Sequence, residues 1–370
     1  MSSLSSPVGL CRAFGLLAGL CITTLSFAGE LRVPAEYPTV QAAVNAAVNG
    51  DTVVIAPGTY NGQALVSGKS IGIRGEPGKA SVTVINAAGL NGAAIDISGV
   101  SNPSQVFVRD LTLTHSSVTS VSGSGISYGG PLSAAITVER CIIRDNFASN
   151  DRAGGAYLLG NAIFRECAFI NNRTGNHGSG IYAYDGCTVD VIDCSFRDHT
   201  TGSGVFYARD AATVRVLRAV IKNANALCSG TTGTSTFTDC RGCSVTLAGG
   251  AGFVNGGGNN WASCPDCDAD GAPDLEAILV GAADCDQDRI PDTCEVAQGS
   301  GTDVNSNGVL DQCECLGDIF EDGQVNGADL GALLSRWGPV IAGSAGDLNA
   351  DGQVGGADLG LLLSRWGPCP

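Results

Sequence analysis

The sequence predicts a mainly β chain: a parallel β-helix with a helix capping its N-terminal end, followed by an acidic linker and a small α-helical module. Three observations carry this expectation. One strand-like phrase recurs four times without gaps, the net negative charge falls after residue 260, and the C-terminal end says one phrase twice.

The recurring phrase is "ITVERCIIRDN" from Ile136, "AIFRECAFINN" from Ala162, "VDVIDCSFRDH" from Val189 and "VRVLRAVIKNA" from Val214. Its shared column, Cys141, Cys167, Cys194 and Ala219, advances by 26, 27 and 25 residues. Within each unit, alternating residues run into a polar cluster, which reads as a strand ending in a turn. A second column, Ile126, Ala156, Ile181 and Val205, moves with the first. Two columns advancing together are what a parallel β-helix requires, because each coil buries its inward side chains only against the coils above and below. The 53 Gly residues, with Val, Ile, Thr and regularly placed Asn and Asp, suit short strands punctuated by turns. The cysteine column reads as small apolar fillers of a narrow core.

Upstream, residues 37–78 read as a short amphipathic helix with Val40, Ala43, Val44 and Val48 on one face, then strands around "TVVIAPGTY" and "SIGIRG". A helix there caps an open end whose bare strand edges would invite aggregation. This cap and the coil pattern resemble right-handed parallel β-helix proteins of the pectate lyase and pectin methylesterase type, from roughly Leu31 to Trp261. The resemblance implies a β-helix domain over 29–262 and a polysaccharide partner. The catalytic "DFIFG" and "GRPW" stretches of pectin methylesterases have no counterpart here.

Residues 29–260 hold 16 acidic and 16 basic side chains, whereas residues 261–370 hold 20 and 3. Basic and aromatic residues are nowhere clustered together, which argues against nucleic acid as a partner. Residues 1–28 have the layout of a secretory signal: Arg12, the apolar run "AFGLLAGLCITTLSFA", and small residues ending at Ala28. The expectation is a secreted, extracellular protein with no transmembrane anchor in the mature chain. Removing this leader leaves 14 cysteines in an oxidising compartment, where disulfides form.

After the β-helix, three shorter phrases follow at steps of 18 and 19 residues: "DCDADGAPDLE" from Asp266, "DCDQDRIPDTCE" from Asp284 and "DVNSNGVLDQCE" from Asp303. Oxygen-bearing side chains at alternate positions let a short loop wrap a hard cation, Ca²⁺. The phrases are similar to the calcium-wrapping repeats of thrombospondin type 3 regions, here over 263–315. Candidate ligands are Asp266, Asp268, Asp270 and Asp274, then Asp284, Asp286, Asp288 and Asp292, then Asp303, Asn305, Asn307 and Asp311. The alternatives are a metal-free linker stapled by disulfides, and a zinc site at Cys264, Cys267, Cys285 and Cys294.

The doubled phrase is "GDIFEDGQVNGADLGALLSRWG" from Gly317 and "GDLNADGQVGGADLGLLLSRWG" from Gly346. In the second copy Asp347, Asn349, Asp351, the backbone carbonyl of Gln353, and Asp358 take positions 1, 3, 5, 7 and 12 of an EF-hand-like loop, with Gly352 at the sharp turn. The first copy keeps Asp318, Asp322, Gln324, Asn326 and Asp329 but has Phe320 at position 3, so weaker calcium binding is expected there. Leu359, Leu362, Leu363 and Trp366, matched by Leu330, Leu333, Leu334 and Trp337, form a stripe read as the mutual core of two helices. A calcium loop with only its exiting helix, duplicated over 316–370 and closed by "RWG", resembles the dockerin type I module. That resemblance implies a cohesin-like or cell-surface partner, although Gly327, Ala328, Gly356 and Ala357 stand where dockerins often carry hydroxyls. A Cys315–Cys369 bridge would clasp the unit and stabilise it by about 4 kcal/mol, with Cys313 as the competing partner.

Three polar columns end the aligned strands: Arg144, Ile170, Arg197, Lys222; then Asp145, Asn171, Asp198, Asn223; then Asn146, Asn172, His199, Ala224. One reading is a ladder that satisfies turn backbone. The other is a groove in which Asp145 and Asp198 bind Ca²⁺ or act as acid and base, while Arg144, Arg197 or His199 handles a sugar acid. Lyases of the resembled architecture combine calcium-binding carboxylates with a proton-abstracting Arg, and glycoside hydrolases need two carboxylates flanking the bond. The expected function is a carbohydrate-active protein of lyase or glycosidase type; the alternative is a non-catalytic glycan-binding or structural rod.

Overall fold

The computed structural model describes residues 28–115, 117–118, 125–149, 152–230, 232–246, 252–304, 309–320 and 322–369. Residues 1–27, nearly all of the expected leader, lie outside these.

Strands of successive coils stack into three long parallel sheets, of ten, eight and seven strands among the described residues. The aligned phrases take the expected register: Ile136 lies beside Ala162, Ala162 beside Val189, and Val189 beside Val214. The second column holds from Ile126 through Ala156 to Ile181, then slips, because Ile181 pairs with Phe206 and not Val205. The outer face explains the slip. Tyr157, Tyr182 and Tyr207 stay in line there, with ring centroids 5.5 and 4.9 Å apart, so the aromatic stack fixes a register that the preceding Gly-Ser-Gly does not.

Each coil turns through single residues in the left-handed region. Asp110, Arg140, Glu166, Asp193, Arg218 and Asp239 line one corner, and His115, Asp145, Asn171, Asp198, Asn223 and Ser244 the next, all with φ between 49° and 62°. Asp and Asn tolerate this conformation best among residues with a Cβ, which accounts for their regular spacing in the sequence.

Inside, Phe164, Phe169, Phe196, Phe206 and Phe237 are fully buried. Phe169 stacks on Phe196 at 4.6 Å, and Phe196 meets Phe206 edge-on at 4.7 Å. Cys141, Cys167 and Cys194 are buried and unbridged, as the filler reading expects, and Cys240 joins them beyond Ala219. Buried polar groups pair along the axis. Asn146 Nδ2 donates to Leu113 O at 3.1 Å and to Asn172 Oδ1 at 3.0 Å, and Asn172 Nδ2 donates to Ile143 O at 2.7 Å.

At the N-terminal end, α1 (Val40–Ala46) is capped by Thr39 Oγ1, which accepts from Ala42 N at 3.1 Å, and packs on the first strands. Val40, Ala43 and Val44 face the core, but Val48 is 55% exposed because the helix stops before it and Ala47 is buried instead. At the other end Trp261 lies edge-on to Phe237 at 5.9 Å and covers Gly242, where a Cβ would come within 2.6 Å of the indole.

The linker carries α2 (Asp274–Val280) and α3 (Asp292–Gln298). Disulfides join Cys243 to Cys264, Cys267 to Cys294, Cys285 to Cys313, and Cys315 to Cys369. The four cysteines of the zinc alternative are therefore all bridged. Cys313 goes to Cys285, which leaves Cys369 to clasp the doubled unit through Cys315. In that unit α4 (Gly327–Ser335) and α5 (Gly356–Ser364) share a core of Leu316, Val325, Leu333, Leu348, Val354 and Leu362. The Leu and Trp stripe is core only in part: Leu334, Trp337, Leu363 and Trp366 are 50–53% exposed. Two short helices meet along one line, which reaches a single residue of each Leu-Leu pair.

Asn172→Ala removes the group that ties two coils in the dry interior. Urea denaturation of the full chain should show a loss of about 1–3 kcal/mol; an unchanged midpoint would mean that the inner ladder does not hold the coils.

Candidate functional site

The polar columns fall where the register puts them. Asn171 Nδ2 donates to Asp145 Oδ1 at 2.8 Å, and Asn223 Nδ2 to Asp198 Oδ1 at 2.6 Å. Asp145 and Asp198 are thus rungs of an Asp/Asn ladder, two coils or about 9.6 Å apart, with Asn171 between them. Arg144 is half exposed, 3.6 Å from Asp145. His199 is not in a groove. It takes the Asn slot of the inner ladder, 1% exposed, with Nε2 donating to Phe169 O at 3.1 Å as Asn172 donates to Ile143 O one coil earlier. Burial lowers its pKa to about 4 and keeps the ring neutral. Its sequence column, shared with Asn146 and Asn172, points to this core role, which replaces the groove reading.

Arg197 faces the linker. Helix α2 packs on the strands Ala168–Ile170 and Ser195–His199 and directs Glu276, 2% exposed, at the guanidinium. Arg197 Nε lies 2.9 and 2.8 Å from the two carboxylate oxygens and one terminal nitrogen 2.7 Å from Oε1, while the other bonds Asp198 at 2.7 Å. One coil on, Lys222 Nζ bonds Asp266 Oδ2 at 2.8 Å. From the second acidic loop, Arg289 pairs with Asp193, which Arg218 already holds through both oxygens. These ion pairs seat the linker on the β-helix.

The corner column from Asp110 to Asp239 is a charged ladder that the sequence reading missed, although a charged residue precedes each member of the cysteine column. Arg140 forks onto Asp110 at 2.8 and 3.0 Å. This column floors two cavities, of about 520 and 480 Å³, on either side of Leu275 and Arg289. Glu166 lines the larger one and has no ion-pair partner among the described residues.

In the linker, carboxylate oxygens of Asp266, Asp268 and Asp270 come within 4.8 Å of one another, and so do those of Asp284, Asp286 and Asp288. The fourth acid of each unit closes its loop through one oxygen: Asp274 accepts from Cys267 N at 2.8 Å, Asp292 from Cys285 N at 2.9 Å and Asp311 from Val304 N at 2.9 Å. In the third unit Asp303 is described, whereas Asn305 and Asn307 lie outside the described residues. Glu295, twelfth in the count from Asp284, is a further carboxylate that the sequence reading passed over. It is 6% exposed and its Oε2 has no hydrogen bond. Burial, with the charges of Asp286, Asp288, Asp292 and Asp284, pushes its carboxyl up. Asp266 Oδ1 is likewise buried and unbonded. Buried, unbonded carboxylate oxygens in the field of other carboxylates fit a hard dication. Asp266, Asp268 and Asp270 would hold one Ca²⁺, and Asp284, Asp286, Asp288 and Glu295 another.

The loops of the doubled unit are closed by backbone amides. Asp347 accepts from Asp351 N at 3.1 Å and Gly352 N at 3.0 Å, and Asp318 from Asp322 N at 3.0 Å and Gly323 N at 2.8 Å. Asp358 takes the amides of Leu348 and Gly355, and Asp329 those of Ile319 and Asn326. Asn349 and Asp351 accept from the amides two residues on, as do Asp322 and Asn326, and Gln324 and Gln353 begin the short strands.

Stacked parallel coils with one-residue corners define a β-helix. The family described as a right handed beta helix region matches residues 71–263, and the chain belongs to it. Similar solved structures include a pectin methylesterase from carrot, at 16% identity over 62% of this chain and 87% of that one, TM-score 0.39. Another is a pectin methylesterase mutant in complex with a hexasaccharide, at 13% identity over 59% and 79%, TM-score 0.36. A protein of Geobacillus virus E2 follows at 15% identity over 60% and 55%, TM-score 0.24. At these values the likenesses carry no inference about chemistry. No curated protein matches the chain. Among the described residues, no helix is long and apolar enough to cross a membrane.

Because folded His199 titrates near 4 and an unfolded His near 6.5, the folded state binds fewer protons between these values, and its stability falls as pH is lowered through that window. Denaturation at pH 7 and pH 5 should differ by about 2 kcal/mol from this group, and His199→Asn should remove most of that difference. An unaltered pH slope in the variant would place the titration elsewhere.

Proposed function

We propose that the chain is a secreted, carbohydrate-directed β-helix protein that engages a polysaccharide, and that its linker and dockerin-like module bind Ca²⁺. The observation that carries this reading is the ladder of charged corner rungs, repeating at about 4.8 Å per coil and opening into the larger cavity beside Glu166. A linear, polar, repeating surface suits a linear, polar, repeating polymer. Export rests on the layout of residues 1–28, and a cohesin-like or cell-surface protein is the proposed partner of the module. Lyase or glycoside hydrolase chemistry is the activity class to test. The second reading, a non-catalytic glycan-binding rod, is favoured by the bonding of the nominated groups: His199 in the core, Arg197 held by Glu276, Asp145 and Asp198 held by Asn rungs.

Incubation of the secreted protein with acidic and neutral polysaccharides, with and without Ca²⁺, separates these readings. Unsaturated products indicate a lyase, new reducing ends alone a hydrolase, and retention on a polysaccharide without products the rod. Neither retention nor products across a broad panel would sink the carbohydrate reading. In the module, "GDLNADG" offers a complete ligand set and "GDIFEDG" does not. Asp347→Ala should therefore lower thermal stability in calcium more than Asp318→Ala, and equal losses would count against unequal loops.

A further inference from the structure

We infer that Arg197 and Lys222 of the β-helix are positioning residues for the calcium loops of the linker, so that calcium binding and linker docking form one linked equilibrium. The inference rests on the calcium reading proposed above for residues 263–315.

Both acidic loops hand groups to the β-helix. Asp266, first in its loop, gives Oδ2 to Lys222 Nζ at 2.8 Å, while Oδ1 is buried and unbonded beside Asp268 and Asp270. The same loop closes on Asp274 and runs directly into α2, whose third residue, Glu276, is buried against Arg197. In the second loop Arg289 stands between Asp288 and Ile290 at φ 77° and pairs with Asp193. A left-handed Arg keeps that direction only while its loop keeps its shape. Glu295 is buried with an unbonded Oε2 in the field of Asp286, Asp288, Asp292 and Asp284 of the same loop, charge that a cation would offset. Without a cation each loop gathers carboxylates within 4.8 Å of one another, and like charges at that range repel. A dication cancels the repulsion and fixes the loop, which fixes α2 and Arg289 on the corner; docking in turn holds Asp266 in place for the ion. Each event lowers the free energy of the other, and the coupling is reciprocal. Because the docked linker packs over Ser195–His199 and walls both cavities, calcium also governs access to that face.

The sign of one effect separates this linkage from plain electrostatics. Neutralising a cation near a calcium loop should, by charge alone, tighten calcium binding; the linkage requires that it weaken. The full chain is stripped with EDTA and titrated with CaCl₂, and hydrogen exchange is followed in peptides spanning residues 266–281 and 284–298, with residues 347–358 as internal reference. Calcium should slow exchange in both linker peptides and in the strand at 195–199. Arg197→Gln and, separately, Lys222→Gln should raise the calcium midpoint of the linker peptides about tenfold and leave that of the reference unchanged; circular dichroism confirms that each variant is folded. Linker midpoints unchanged or lowered in both variants, with calcium still protecting the linker, overturn the linkage alone. No calcium-dependent protection anywhere in 266–298 of the unaltered chain overturns the calcium reading together with it.

Discussion

Coils stacked in register at one strand spacing govern everything else in this molecule. A side chain in such a stack meets a counterpart at the same position one coil above and another one coil below. Every choice is therefore made as a column. An apolar column packs without further help, as the phenylalanines do. A buried polar column survives only if each member bonds to the next coil, which the Asn146 and Asn172 ladder achieves. A charged column of one sign would repel at every step, and the corner ladder limits this by setting Arg140 on Asp110 and Arg218 on Asp193, with Glu166 beside Asp193 as its like-charged step.

That constraint also decides what the sequence discloses. Column identity was legible from Ile136 to Val214 because strand, turn and cysteine repeat together, and the structure keeps those three pairings without a slip. Val205 falls one residue off its column because the tyrosine stack, and not the Gly-Ser-Gly that precedes it, fixes the register. His199 was read for its chemistry when its column already classed it with two asparagines. Glu295 was passed over because its twelfth position falls in a phrase whose other acids alternate from the start. The docking of α2 could not be read, since Arg197 and Glu276 are separated by 79 residues and no periodicity links them.

Charge is segregated along the chain and then folded back on itself. A β-helix with no net charge presents Arg197 and Lys222 to a linker that is almost wholly acidic, and the linker returns a single cation, Arg289, to Asp193. Cysteine use follows the same division. Six thiols lie unbridged in the β-helix interior, while the small linker and module, which have little core of their own, are closed by disulfides. Stability is thus supplied by packing in one part of the chain and by covalent closure in the other.

The one-residue corner has a consequence for how such a chain can change in length. Since a single left-handed residue redirects the strand, the perimeter of a coil is set locally and does not depend on how many coils precede it. Between Arg140 and Arg218 a coil of 25 to 27 residues is accordingly a unit cell, and the domain grows as a one-dimensional crystal grows, by whole layers. Duplication or loss of a layer lengthens or shortens the charged edge by one rung. It leaves both end surfaces as they were, provided that the new rung does not set like charges face to face.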